Sequence, residues 1–230
     1  MNRRELLKAT AALPLLSAAR PSSAMVAMGW PTHTISMIVP FPAGGQADLA
    51  ARPVALALEK ILGKSVIVDN RAGGAGGAIG NAAAARAEPD GYTLLMTLSS
   101  LAVLPEADRL FDRPPVYEVS QLTPIARVLA NWGAERIASF PDLPTFRERG
   151  YKDVEFYIWA GLFAQKALPE PIMIRLREAM AEAVQRPEVI RTFETAGSPV
   201  AYMDAPEFAT FVETDSARLV AAVKRIGRVE

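Results

Sequence analysis

The stretch Pro40 to Asp48, PFPAGGQAD, has residue types that can bind a ligand without any catalytic side chain. It lies between an apolar, β-branched run and a helical pattern, so it predicts a strand-to-helix turn. Gly44 and Gly45 allow positive φ and a close approach of the main chain to a ligand. The first N–H groups of a helix are unpaired and carry partial positive charge. The stretch therefore predicts a site for a carboxylate or phosphate, with main-chain amides as donors.

The alternative interpretation of this stretch is a tight turn that binds no ligand. Asp48 bears on the choice, because its charge would repel a bound carboxylate. We expect Asp48 to stabilise the first helical turn instead. Ser99 and Ser100 end a later strand, where their hydroxyls face either a ligand or solvent. Trp159 lies in an aromatic segment and is expected in the core or at the wall of a pocket.

The motifs of familiar enzymes are missing from the sequence. It contains no cysteine, which excludes disulfides and thiolate chemistry. The dinucleotide pattern G-x-G-x-x-G fails at Ile79, and the phosphate-loop pattern fails at Leu58. There is no G-x-S-x-G elbow, and the single histidine, His33, precedes the first strand, away from the turn. The sequence thus predicts neither an enzyme nor a cofactor or metal site.

The N-terminus has the composition of an export signal. Arg3 and Arg4 stand in a basic start, a short apolar stretch follows, and Ser22, Ser23 and Ala24 supply small residues for cleavage. The adjacent arginines resemble a twin-arginine leader. Half of the 230 residues are apolar, and 25 basic side chains balance 25 acidic ones. This composition predicts a globular protein without affinity for nucleic acid, located outside the cytoplasm after removal of residues 1–24.

The elements around the turn predict how it is positioned. Strands are expected at 35–39, 65–69 and 92–98, with helices at 47–62 and 78–87 between them. This β-α-β-α-β order predicts parallel strands with helices on the sheet faces. Ligands bind at the carboxyl ends of such strands, so three loops should meet at one edge: Phe41–Asp48, Asn70–Gly77 and Thr97–Ser100. We interpret the glycines of the second loop as allowing close packing of a helix on the sheet.

The second half of the chain predicts further strands and helices. Strands are expected at 122–129 and 155–164, and a rigid turn at 141–144. Helices are expected at 169–186 and 187–196, followed by a last helix after Asp204 that ends near Ile226.

Six blocks in order resemble one protein family: ISMIVPFPAGGQADLAAR, VIVDNRAGGAGGAIG, ARAEPDGYTLLM, LTPIARV, FPDLPTFRERGY and WAGLFAQKALPEPIMIRLREAM. The sequence is similar to the Bug family, the extracytoplasmic solute-binding receptors of tripartite tricarboxylate transporters. The resemblance implies an α/β fold of the type II periplasmic-binding-protein kind, with two lobes that close over a small carboxylate. It implies no enzymatic activity. The ligand-binding residues it points to are Phe41, Ala43, Gly44, Gly45, Gln46, Ala47, Asp48, Ser99, Ser100 and Trp159.

The resemblance is interrupted after Ala130. The strand at 122–130, which leads into a second lobe in the family, is followed here within a few residues by Ser139-Phe140, which in the family comes after that lobe. We therefore expect a leader at 1–24, the first part of lobe 1 at 25–130, and a remnant of the lobe junction with the rest of lobe 1 at 131–230. With the second lobe largely missing, an apolar seam near Ala130–Phe140 would be exposed and favour self-association.

The resulting interpretation is an exported receptor for a small carboxylate or related solute, with weakened binding, that works with the membrane subunits of a tripartite transporter. Two alternatives stay open. In the first alternative, the chain binds no solute and is either a remnant or an adaptor that uses the seam to bind another protein. The second alternative is an extracytoplasmic enzyme whose glycine loops hold a phosphate-bearing cofactor.

Overall fold

The computed structural model describes residues 29–131, 142, 144–145, 148–150, 158–198 and 200–227. The predicted leader, nearly all of the predicted seam and most of the predicted turn at 141–144 lie outside these residues. The first half of the described chain contains β1 (Ile35–Val39), α1 (Gln46–Leu62), β2 (Val66–Asn70), α2 (Ala78–Ala85) and β3 (Thr93–Leu98). The predicted β-α-β-α-β order is therefore confirmed, with ends that differ by one or two residues at most positions.

The remaining elements include two that the sequence did not predict. They are α3 (Ser100–Leu110), β4 (Leu122–Asn131), β5 (Ile158–Gln165), α4 (Glu170–Ala183), α5 (Pro187–Thr195), β6 (Val200–Asp204) and α6 (Ala205–Ile226). Helix α3 was missed because Pro105 interrupts its pattern, and β6 because its residues are all half-buried and show no alternation. Two short 3₁₀ turns, Ala75–Gly77 and Val119–Gln121, complete the described structure.

The six strands form one mixed sheet in the order β2-β1-β3-β5-β4-β6. Strand β1 pairs in parallel with β2 and β3. The pairs β3–β5, β4–β5 and β4–β6 are antiparallel. The α/β fold class is confirmed, but the sheet is not rich in parallel pairs, because β5 returns beside β3 and pairs directly with β4. Strand direction of this kind is not visible in hydrophobic patterning.

Side chains alternate between the two faces of the sheet, and helices cover both. Met37 and Leu94 belong to the core under α1, α4 and α5. Ile38 and Leu95 belong to the core on the other face, together with residues of α2, α3 and α6. Among the described residues, none of the helices combines the length and apolar character that a membrane span needs.

Candidate functional site

The three predicted loops meet at the carboxyl ends of β1, β2 and β3. The side-chain amide of Asn70, at the end of β2, donates to the Phe41 carbonyl at 3.1 Å and to Asp48 Oδ1 at 2.9 Å. The Ser100 hydroxyl donates to the Gly76 carbonyl at 3.0 Å. Because each loop is tied to another, this edge of the sheet presents one continuous surface.

Asp48 is the centre of the first loop. Its side chain is almost fully buried and accepts hydrogen bonds from the Gly44 N–H at 2.8 Å, Arg52 Nε at 2.8 Å and Asn70. Burial raises the pKa of Asp48, but the hydrogen bonds from Arg52, Gly44 and Asn70 outweigh it and hold the pKa below its ordinary value. The charge of Arg52 also offsets that of Asp48, which removes the expected repulsion of a bound carboxylate.

The expectation that the amides of Gly44 and Gly45 are free is wrong. The Gly44 N–H is bound to Asp48, and the Gly45 N–H donates to the Pro42 carbonyl at 3.3 Å. These bonds form because the turn closes on itself: Gly44 has φ +81° and the chain folds back toward Asp48. Side chains of the described residues do not enclose the turn, since none of their atoms beyond the two chain neighbours lies within 4 Å of the position that a Gly44 Cβ would take.

Several main-chain N–H groups of this loop, including those of Ala43, Ala47 and Asp48, lack an acceptor in the described part of the chain, and that of Gln46 is one of them. Gln46 is the first residue of α1 and half-buried, and its N–H has no hydrogen-bond acceptor among the described residues. Ala47 is fully buried, so its N–H does not face a ligand. Ala43 and Gly44 are exposed, whereas Phe41 packs against the core. The sequence predicted main-chain donors at Gly44 and Gly45, whereas the structure leaves the N–H of Gln46, the next residue, without an acceptor.

The glycine-rich second loop packs closely against the first strand. A Cβ at Gly80 would lie 2.6 Å from Pro40 Cβ and 2.9 Å from the Arg71 carbonyl, and one at Gly77 would lie 2.9 Å from the Pro40 carbonyl. The interpretation of the loop glycines as packing residues is confirmed for Gly77, and Gly80, inside α2, packs in the same way. Because these glycines have no side chains, α2 can approach the end of β1.

Gly80→Ala is expected to lower the free energy of unfolding by about 2 kcal/mol, since the new methyl meets rigid main-chain atoms. Helix propensity alone predicts that the same substitution raises the free energy of unfolding, by about 1 kcal/mol. Urea denaturation measures the difference. Gly63→Ala is the control, because its new Cβ would lie more than 4 Å from any described residue other than its chain neighbours, and only its φ of +69° is strained. A Gly80→Ala protein as stable as the wild type would contradict the close packing.

Ser99 and Ser100 lie where β3 passes into α3. Ser99 is 5% exposed, and its hydroxyl has no hydrogen-bond partner among the described residues. A chain of buried bonds fixes this junction: Thr97 donates to Asn81 at 3.0 Å, Asn81 donates to Tyr117 at 3.3 Å, and Tyr117 donates to the Leu101 carbonyl at 2.8 Å. Burial raises the pKa of Tyr117 far above its ordinary value, so its hydroxyl stays protonated and remains a donor.

The sequence reasoning missed the residues that support the site. Arg52 could have been found, because it stands four residues after Asp48 on the same helix face. Asn70, Asn81 and Tyr117 gave no local signal, since their partners are 16 to 36 residues away along the chain.

Trp159 does not line the site. It is fully buried between Phe163, Phe208 and Phe211, and its indole N–H donates to Asp215 at 2.8 Å. The prediction that Trp159 binds a ligand is therefore corrected: the aromatic segment is β5, in the middle of the sheet, and its tryptophan faces the core under α6.

The chain is 46% identical over 99 residues to the protein BugT of Bordetella pertussis, a match that covers 43% of this chain and 30% of BugT. It is 26% identical to a UPF0065 protein of Agrobacterium vitis over 297 positions, covering 87% of this chain and 84% of the relative. That alignment is longer than the 230-residue chain itself, so part of it has no counterpart here.

Two solved structures share the fold. The periplasmic binding protein BugD matches with a TM-score of 0.74 at 21% identity, covering 85% of this chain and 98% of BugD. MatC from Rhodopseudomonas palustris, with bound malate, matches with a TM-score of 0.70 at 21% identity, covering 84% of this chain and 99% of MatC.

The mixed sheet with helices on both faces thus defines a periplasmic-binding-protein-like fold. The model of the tripartite tricarboxylate transporter family receptors matches this sequence at residues 50–128 and again at 125–228. The chain belongs to this receptor family, which is not a class of enzymes and whose members are periplasmic.

Proposed function

We propose that this chain is an extracytoplasmic receptor that binds a small carboxylate and presents it to the membrane subunits of a tripartite transporter. Membership of the receptor family supports the class of function. MatC, which shares the fold, holds malate, and this supports a carboxylate as the ligand. The basic, short apolar N-terminus supports export, with residues 1–24 removed.

The observation that carries the proposal is the first turn of α1. Its free donor at Gln46 lies at the end of a loop whose only acidic side chain, Asp48, is already paired with Arg52. A 17-residue helix adds partial positive charge at this point. We propose that the carboxylate binds here, beside Ala43, Gly44 and Gly45, with Ser99 and Ser100 on the neighbouring loop.

We further propose that binding is weakened because most of the second lobe is missing. The two matches of the family model meet at residues 125–128, which supports the loss of a middle segment. Strands β4 and β5 pair up to Asn131 and Ile158, so only 26 residues connect them. A single lobe covers one side of a ligand, whereas sites of this size normally enclose most of it. The expected dissociation constant is about 1 mM or higher, which corresponds to a binding free energy of roughly 4 kcal/mol or less in magnitude.

A pair of substitutions at position 46 tests the donor. Gln46→Pro removes the N–H, and the helix tolerates proline at its first position; the extended φ and ψ of Gly45 suit a residue before proline. Gln46→Ala removes the side chain alone and is the matched control. In NMR titrations with malate and citrate, we expect Gln46→Pro to bind at least tenfold more weakly than Gln46→Ala.

Two results would count against the proposal. Equal affinities of the two variants would show that the main-chain donor of Gln46 is not used. No binding of any carboxylate to the wild-type protein at 20 mM ligand, about twenty times the expected constant, would favour the non-binding remnant or adaptor. A micromolar constant would instead contradict the proposed weakening.

A further inference from the structure

A cavity of about 240 Å³ lies against the first turns of α1. Gln46, Leu49 and Ala50 form one of its walls, and because they are three and four residues apart, they share one face of the helix. The other walls come from the ends of β4 and β5 and from α5 with the residues after it: Leu129, Ile158, Phe193, Ala196 and Ser198. The cavity therefore adjoins Gln46, a residue whose main-chain N–H has no acceptor among the described residues.

None of the described residues that line this cavity carries a charge. Leu49, Leu129, Ile158 and Phe193 supply large apolar surfaces, and only Gln46 and Ser198 are polar. Asp48 and Arg52, the charged residues of the first two turns, pair with each other on a different face of α1. An anionic group inside the cavity would lose its hydration without gaining a cation.

The cavity and the donor together suit a ligand with one charged end and one apolar end. A carboxylate at Gln46 meets the N–H and the helix dipole, while a hydrocarbon group extending into the cavity replaces water against leucine, isoleucine and phenylalanine. The volume equals that of about eight water molecules, enough for a chain of several methylenes.

We propose that the solute is a carboxylate with one acidic group and an apolar body, rather than a tricarboxylate or a short dicarboxylate. This inference rests on the proposed function, because it places the acidic group of the ligand at the same donor. It assigns Leu49 as a specificity-determining residue, since this side chain is 44% exposed and borders the cavity.

The test is a series of NMR titrations with acetate, butanoate and hexanoate, followed by adipate and hexanamide. Each added methylene is expected to tighten binding roughly threefold until the cavity is filled. Adipate has the six carbons of hexanoate but a second carboxylate in place of the methyl end, and it is expected to bind at least tenfold more weakly. Hexanamide, which keeps the chain and lacks the charge, is also expected to bind at least tenfold more weakly.

Leu49→Ser provides the protein side of the test. It is expected to weaken hexanoate binding at least threefold more than it weakens acetate binding. Leu56→Ser is the matched control, because Leu56 is 62% exposed on the same helix and does not line the cavity. It should change neither affinity.

The outcomes separate this inference from the proposed function. Adipate or citrate binding as tightly as hexanoate, or no dependence on chain length, overturns the apolar-body inference while the carboxylate site stands. Hexanamide binding as tightly as hexanoate shows that the negative charge of the ligand does not contribute to binding, which also overturns it. No binding of any of the acids overturns the proposed function and this inference with it.

Discussion

Trp159→Ala is expected to lower the free energy of unfolding by about 4 kcal/mol, the largest effect among the substitutions considered. The indole is fully buried and contacts three phenylalanine rings, including an edge-on contact with Phe208 at a centroid distance of 5.4 Å. Removing it leaves a cavity among Phe163, Phe208 and Phe211, and it deprives Asp215 of a hydrogen bond. Urea denaturation with fluorescence or circular dichroism measures the change.

Trp159→Phe is the control that separates packing from ligand binding. It keeps an aromatic ring in the core but removes the donor to Asp215 and the second ring of the indole, while Asp215 retains its bond with Arg218 at 2.7 Å. We expect a loss of about 1 to 2 kcal/mol and no change in affinity for a carboxylate. Weaker ligand binding in a Trp159→Phe protein of wild-type stability would restore Trp159 to the ligand site.

Asp48→Ala is expected to lower the free energy of unfolding by about 3 kcal/mol and to abolish detectable carboxylate binding. The carboxylate is 2% exposed and joins Gly44, Arg52 and Asn70, so its loss frees the whole first loop. Asp69→Asn is the control, since Asp69 forms a more exposed pair with Arg71 at 2.7 Å. Such a surface pair contributes less than about 1 kcal/mol.

The stabilisation by Asp48 should depend on pH in a defined direction. Its pKa in the folded protein lies below the ordinary value of 3.8, so the charged form is favoured by folding. The stabilisation is present above pH 3.8 and is lost as the pH falls through the lower pKa of the folded state. The stability difference between wild type and Asp48→Asn should therefore be constant near neutrality and shrink below pH 3.8. A difference that grows on acidification would contradict the network.

The sequence by itself determined the elements around the candidate site. The apolar run at Ile35–Val39, the glycine turn and the helix that follows are local patterns, and the alternation of strands and helices brought three loops to one edge. The family blocks indicated the receptor class, and the family model confirms it. The predicted end of the first helix at residue 62 is confirmed, because Gly63 follows it in the left-handed conformation that ends α1.

Only the tertiary structure decided which groups of these loops remain free. Whether the amide of Gly44 faces a ligand or Asp48 depends on how the turn closes, and residue type does not encode this. Asn70 holds two segments that are more than twenty residues apart along the chain, and Trp159 is enclosed by residues of α6. The antiparallel pairing of β4 with β5 and the cavity beside α1 likewise arise from contacts between distant segments. Such contacts depend on three-dimensional packing, and no periodic pattern of residues in the sequence indicates them.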